Sequence, residues 1–121
     1  MSDVLPTTSV AESLAQAIAS LDAARLPVPV RRTCEDLIVD VVGLCLTARN
    51  EDYVAAVLAG CDEDGPCTAI GHARGMSAVG AALVNGTAAH GEDFDDTFEG
   101  GPVHAGAVVV PAVLAACERY H

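Results

Sequence analysis

The sequence contains no lysine and no tryptophan, and its six basic residues are all arginine: Arg25, Arg31, Arg32, Arg49, Arg74 and Arg119. Against 17 acids they leave a formal net charge of −11. A field of that sign repels a phosphate backbone, so no nucleic-acid partner is expected. Attraction to an anionic membrane surface is disfavoured for the same reason. No CxxC pair occurs among the five cysteines. An odd count without paired spacing argues against a disulfide framework or a zinc finger, and reduced thiols suit the cytoplasm. Long apolar runs are missing too. The best candidates, residues 76–89 and 103–117, are interrupted by Gly, Asn, His or Pro and fall short of the roughly 20 residues that span a bilayer. Residues 1–8 carry neither a basic start nor an apolar run, so no signal peptide is expected.

Aromatic residues are scarce as well: Tyr53, Phe94, Phe98 and Tyr120. Alanine, by contrast, fills 22 of the 121 positions, and hydrophobic residues make up 51% of the chain. That is too apolar for a disordered chain. A core of Ala, Val and Leu suits close-packed helices better than a β-sandwich. The length fits one domain or part of one, with a modest core.

Ser9-Val10-Ala11-Glu12 has the S-x-x-E form of a capping box. Val10, Leu14, Ala17, Ile18 and Leu21 follow at helical spacing, predicting a helix over 9–24 with one apolar stripe. The Pro27 and Pro29 pair breaks it. A second helix is expected just after Pro29, running to about residue 48, with Leu37, Ile38, Val41, Leu44, Cys45 and Ala48 as its buried face. Residues 51–59 read as a short third helix with Gly60 as C-cap. Residues 61–75 read as a loop, with at most an extended piece at 67–70. Residues 76–90 form a fourth helix of small residues, expected to be central because small side chains let helices approach closely. A turn-rich acidic segment follows. Residues 105–120 make a fifth helix, with a kink or a new start expected at Pro111.

The chain changes character at residues 85–106. Acids, two histidines, a threonine and half the aromatics gather there between apolar helices. Polar groups entering a packed region must be hydrogen-bonded or useful. Four readings stay open. One is a solvated acidic loop with Asp N-caps. A second is a metal site, with His90, Asp93 and Asp95 as three ligands; the set is small for that purpose. A third is Mg²⁺–diphosphate chemistry on Glu92-Asp93-Phe94-Asp95-Asp96, which a lysine-free chain supports poorly. The fourth is acid/base catalysis, with His104 at the start of the last helix, where the helix dipole favours bound anions.

This segment resembles the MmgE/PrpD family, which includes 2-methylcitrate dehydratases and cis-aconitate decarboxylases. The resemblance lies in Leu83-Val84-Asn85-Gly86, His90, Asp93-Phe94-Asp95-Asp96-Thr97 and His104-x-Gly106, in the family's order and spacing. Leu26-Pro27 and the run Leu37-Ile38-Val39-Asp40-Val41-Val42-Gly43 extend it upstream. It covers essentially this whole chain but only the N-terminal part of the family.

The resemblance implies an all-α fold: residues 1–121 are the N-terminal portion of a helical-bundle domain whose smaller lid domain is absent. It also implies cofactor-free lyase chemistry on a small di- or tricarboxylic acid, and homodimers. Asp93, Thr97 and His104 match the positions that carry catalysis and substrate binding. His90, Asp96 and Asn85 are expected as structural support, and no metal is expected. Ala105 departs from the family's Pro after the His, and the gap from Thr97 to His104 is slightly long. The family's downstream Lys, His and Tyr have no counterpart here. The chain alone is therefore expected to be inactive, completed by a C-terminal portion or a second subunit. A non-catalytic dimerisation module and an epimerase are the alternatives.

Smaller expectations concern single residues. Phe94 and Phe98 should anchor the motif loop. The five cysteines should be small buried hydrophobes. His72 and the terminal His121 should lie at the surface, and Arg74 should form a surface salt bridge.

Overall fold

The structure is a computed structural model that describes residues 8–121, so the leader reading of residues 1–7 lies outside it. The described chain is predominantly helical: α1 (Val10–Ala19), α2 (Val28–Ala48), α3 (Asp52–Gly60), α4 (Ala78–His90) and α5 (Ala105–Tyr120). A small antiparallel ribbon of β1 (Asp64–Thr68) and β2 (Gly75–Met76) joins α3 to α4. The chain divides within α2 into two compact units, up to Arg32 and from Thr33 onward.

In the first unit the capping box forms as the sequence predicts. Ser9 Oγ accepts the Glu12 N–H at 3.2 Å, and the Glu12 carboxylate accepts the Ser9 N–H at 2.8 Å. The Ser9 backbone and hydroxyl together hold the Glu12 carboxyl below its usual range. The helix stops at Ala19 rather than running to residue 24. Ser20 Oγ bonds back to the Ala17 carbonyl, and Asp22 caps a single 3₁₀ turn at Ala23–Arg25. Such local side-chain bonds compete with helix continuation. The stripe of Val10, Leu14, Ile18 and Leu21 is exposed.

The second unit carries the core. Val41, Cys45 and Ala48 on α2, Val54 on α3, Met76 on β2 and Val84 on α4 are all buried. Leu37 and Leu44 are only half-buried, and Ile38 is exposed, so the inward face of α2 is narrower than its periodicity predicts. Helix α4 is central, with Gly80, Ala81, Val84, Asn85, Ala88 and Ala89 all buried. It packs on α3, α5 and both strands.

Helix α5 begins at Ala105 and runs on through buried Pro111 without a new start. Proline has no N–H for the Ala107 carbonyl four residues back. That carbonyl faces Gly86 of α4, where an added Cβ would lie 3.1 Å from it. A small residue thus meets the place where the helix ladder is interrupted.

Residues 61–75 are more ordered than a loop. Met76 pairs as a strand and Ser77 caps α4 through the Gly80 N–H, so the helix starts two residues later than expected. The register shifts between Asp64 and Cys67, around Pro66, which has no donor for a ladder. A Cβ on Gly75 would lie 2.5 Å from the Gly65 carbonyl oxygen, so only glycine admits this approach. Gly60 closes α3 from inside the helix, and Cys61 takes the cap position in extended geometry. No helix among the described residues is long and apolar enough to cross a membrane.

Only Cys45 and Cys67 are buried; Cys61 is half-buried, and Cys34 and Cys117 are exposed. Burial pushes the Cys45 thiol up to about 11. A raised thiol pKa means the native state holds its proton after the unfolded chain has lost it. The associated stability is present below pH 9 and disappears as pH rises toward 11. The wild-type chain should lose roughly 2–3 kcal/mol more over that window than Cys45→Ala, measured by urea unfolding at stepped pH. Parallel pH curves for the two proteins would contradict it.

Candidate active site

Helix α4 ends at His90 and α5 begins after His104, which occupies the N-cap position. The intervening loop returns on itself, and polar contacts hold its shape. At its start, Tyr53 of α3 donates its hydroxyl to Glu92 Oε1 at 2.9 Å. A Cβ on Gly91 would lie 2.3 Å from the Tyr53 ring, so the glycine leaves room for the ring beside the chain. Desolvation, and then the bond to Glu92, raises the Tyr53 hydroxyl above its ordinary pKa. Further on, the Phe98 N–H donates to the Val103 carbonyl, closing a turn across the two glycines at 100 and 101.

At the end of the loop, Asp96 Oδ1 accepts the Gly106 N–H of α5 at 2.8 Å. A side chain at position 106 would put its Cβ 2.3 Å from that oxygen. This explains the glycine two residues after His104: it lets a carboxylate from ten residues earlier cap the helix. The positive end of α5 is therefore already met by Asp96. The helix dipole that the sequence offers to a bound anion is thus taken by a carboxylate of the chain itself.

Asp95 is the centre of the site. Its carboxylate is fully enclosed. Its Oδ1 and Oδ2 lie 3.0 and 3.2 Å from His90 Nδ1. Oδ1 also lies 3.3 Å from His104 Nδ1. That second approach is bent away from hydrogen-bond geometry, and the enclosed His104 Nδ1 has no hydrogen-bond partner among the described residues. The two imidazole rings stand edge to face, 4.7 Å apart at an interplanar angle of 61°. On its other side, His104 Nε2 lies 3.9 Å from the exposed Asp93 carboxylate.

Asp93 holds a backbone φ of +57°, the left-handed region that Asp tolerates better than most residues. Its N–H bonds the His90 carbonyl at 2.9 Å. The chain thus turns sharply where α4 ends, and Asp93 and Asp95 reach His104 from its two sides.

An open pocket of about 520 Å³ adjoins the pair, lined by His90, Val103, His104, Ala107 and Val108 among others. No arginine lines it. The arginines of this unit are engaged elsewhere: Arg74 with Asp64 at 2.8 Å, Arg49 with the Leu46 carbonyl, and Arg119 over the Tyr120 ring. His90, Asp93, Asp95 and His104 each offer one donor atom, all within 4.8 Å of one another. Two nitrogens and two oxygens are a donor set that a divalent transition ion accepts. The shortest contacts within the group run from the two imidazoles to Asp95, and of these the His90 contact is a hydrogen bond.

The structure therefore brings together Asp93, His90 and His104 of the residues singled out from the sequence. Thr97 is exposed and makes no hydrogen bond among the described residues. Asn85 lies apart from the cluster, buried against β1. In the sequence Asp95 stands out only as a ligand in the two metal readings and as a member of the Asp93–Thr97 motif, and nothing there connects Tyr53 with the site. Phe94 and Phe98 do not anchor the loop; Phe94 is 79% exposed, and the polar contacts do that work. His72 is half-buried, with an enclosed Nε2 that has no partner among the described residues. His121 is exposed, as expected.

The MmgE/PrpD N-terminal domain model matches residues 12–121. Cis-aconitate decarboxylase-like protein oryM of Aspergillus oryzae is 25% identical over 121 residues, covering 98% of this chain and 25% of that protein. Two cis-aconitate decarboxylase sequences from Aspergillus terreus are each 33% identical over 69 residues, covering 57% of this chain and 14% of their own length. This chain thus spans a quarter or less of the relatives it matches. No solved structure shows a significant match.

Proposed function

The chain belongs to the MmgE/PrpD family through its match over residues 12–121, and from that premise we propose that it supplies one part of the active site of a cofactor-free lyase. The substrate is a small di- or tricarboxylic acid of the cis-aconitate or 2-methylcitrate kind. The observation that carries this reading is His104 at the head of α5, with Asp93 3.9 Å from its Nε2 and an open pocket beside it. The names of the relatives support the substrate class.

Here His104 moves a proton next to a substrate carboxylate, with Asp93 beside it orienting the substrate. Thr97, exposed on the same loop, donates a hydrogen bond to substrate. The developing enediolate-like anion and the substrate carboxylates need positive charge. This chain carries a net charge of −11 and has no arginine in the pocket. A further segment or a second subunit therefore supplies the cationic half, in a cytoplasmic homodimer.

The test is release of CO₂ from cis-aconitate and dehydration of 2-methylcitrate. The expected result is turnover of one of them by the completed enzyme and none by the 121 residues alone. Turnover by the 121 residues alone would refute the need for a second half. Racemisation without loss of water or CO₂ would make the enzyme an epimerase.

A non-catalytic dimerisation module is the second reading, favoured by Val108, Val109 and Val113 exposed along α5. It requires that substitution of Asp93 or His104 leave the protein's behaviour unchanged.

A further inference from the structure

Asp95 is the one carboxylate of the motif that is turned inward, and it faces the Nδ1 atoms of two different imidazoles. An ionised carboxylate only accepts hydrogen bonds. Both nitrogens that approach it must therefore carry a proton if the contacts are to be favourable. A bare Nδ1 lone pair at 3.0 or 3.3 Å from an enclosed carboxylate oxygen would instead be two acceptors face to face. For each neutral ring, a proton on Nδ1 leaves Nε2 unprotonated.

We propose that Asp95 is the positioning residue of this site. It holds both His90 and His104 as their Nδ1–H tautomers and so leaves both Nε2 atoms as free bases. The proposal rests on the acid/base reading of His104 and adds what that reading lacks, the group that decides which nitrogen reacts.

The geometry of each ring fits. His104 Nδ1 is enclosed and reached by no other hydrogen-bonding group among the described residues, so its proton has one destination. Asp95 Oδ1, at 3.3 Å, is the polar atom that this nitrogen faces. His104 Nε2 then points away from Asp95, on the side where Asp93 lies. His90 shares the carboxylate and stands 4.7 Å from His104, on the wall of the same pocket. With Nδ1 committed to Asp95, its Nε2 is a second base on a residue that lines the pocket, so His90 goes from loop support to a second proton carrier. The sequence separates these groups by five and nine residues; the left-handed turn at Asp93 brings them together.

The experiment is a long-range ¹H–¹⁵N correlation spectrum of the 121-residue chain labelled at histidine, in mildly alkaline buffer with a chelator to keep stray metal away. The expected result is a pyrrole-type Nδ1 and a pyridine-type Nε2 for both His90 and His104, the reverse of the form that a free imidazole prefers. In Asp95→Asn both rings should lose that exclusive pattern, because an amide can donate as well as accept. His72, outside the cluster, should keep its resonances and so report an intact fold. An Nε2–H tautomer or a doubly protonated ring at His104 in the wild-type chain overturns the proposal, and so does an unchanged pattern in a folded Asp95→Asn chain. The readout needs no turnover. A chain with the expected tautomers and no lyase activity in the completed enzyme would sink the functional reading and leave this one standing.

Discussion

Replacing Asn85 by alanine should lower the stability of the domain by about 3 kcal/mol, far more than a typical polar-to-alanine change at the surface. Asn85 is only 3% exposed on the inward face of α4. Its Oδ1 accepts the Ile70 N–H at 2.8 Å, and its Nδ2 donates to the Thr68 carbonyl at 2.8 Å. One amide thus takes the place of a strand partner for the chain just beyond β1. Its own carbonyl meanwhile receives the Cys45 thiol at 3.2 Å, tying α4 to α2.

Truncation to alanine leaves a half-buried N–H without a partner. That alone costs about 1–3 kcal/mol. The void left by the amide adds to it. The Thr68 carbonyl, on an exposed residue, can turn to water and adds little. Leu83→Ala, on the exposed side of the same helix, serves as a control and should change stability by less than about 1 kcal/mol. Urea unfolding of the three proteins measures both. A loss below about 1 kcal/mol for Asn85→Ala would mean that Ile70 finds another acceptor and that the side chain is not the tie described here.

Asn85 also marks how far the sequence could be read. Its place in the motif was visible, and so was its position on a helix of small residues. That it bonds Thr68 and Ile70 was not, because those groups lie 15 to 17 residues away in a stretch that has no period of its own. The same division runs through the fold. The box of Ser9 and Glu12, the central burial of α4 and the start of α5 at Ala105 all follow from local spacing, and all appear. The β1–β2 ribbon depends on the close approach of Gly65 and Gly75 and on an irregular register around Pro66, which no local pattern announces. That α5 runs on through Pro111, with the Ala107 carbonyl set against Gly86 of α4, is likewise a matter of packing that no local pattern announces.

The site shows the same limit. Three aspartates in four residues are chemically equivalent on paper. Their different fates follow from the path of the chain after α4, which includes the left-handed turn at Asp93 with its φ of +57°. Asp93 stays in solvent beside His104, Asp95 goes inward between two imidazoles, and Asp96 reaches the first turn of α5. The aromatic pair misled for a related reason. Phe94 and Phe98 have helical spacing in a segment that forms no helix, and both are exposed.

His104→Gln is expected to have the largest effect on activity. In the completed enzyme it should lower kcat by about 10²–10⁴-fold, the usual worth of a positioned general acid or base. The change in KM should be much smaller, because glutamine keeps a polar group of similar reach and the pocket wall is otherwise intact. Stability should barely move. His104 Nδ1 makes no well-aligned hydrogen bond, and the N-cap of α5 does not depend on it, since Asp96 accepts the Gly106 N–H. The loss would then lie in chemistry rather than in folding, which thermal unfolding of the variant can establish directly. Asp93→Asn should fall between wild type and His104→Gln, because the amide keeps the left-handed turn but not the charge that faces Nε2 at 3.9 Å. Steady-state turnover of cis-aconitate or 2-methylcitrate by the three proteins decides the matter. If His104→Gln retains kcat within tenfold of wild type, the proton is moved by another group. His90, which shares Asp95 and the pocket wall with His104, is then the next residue to replace.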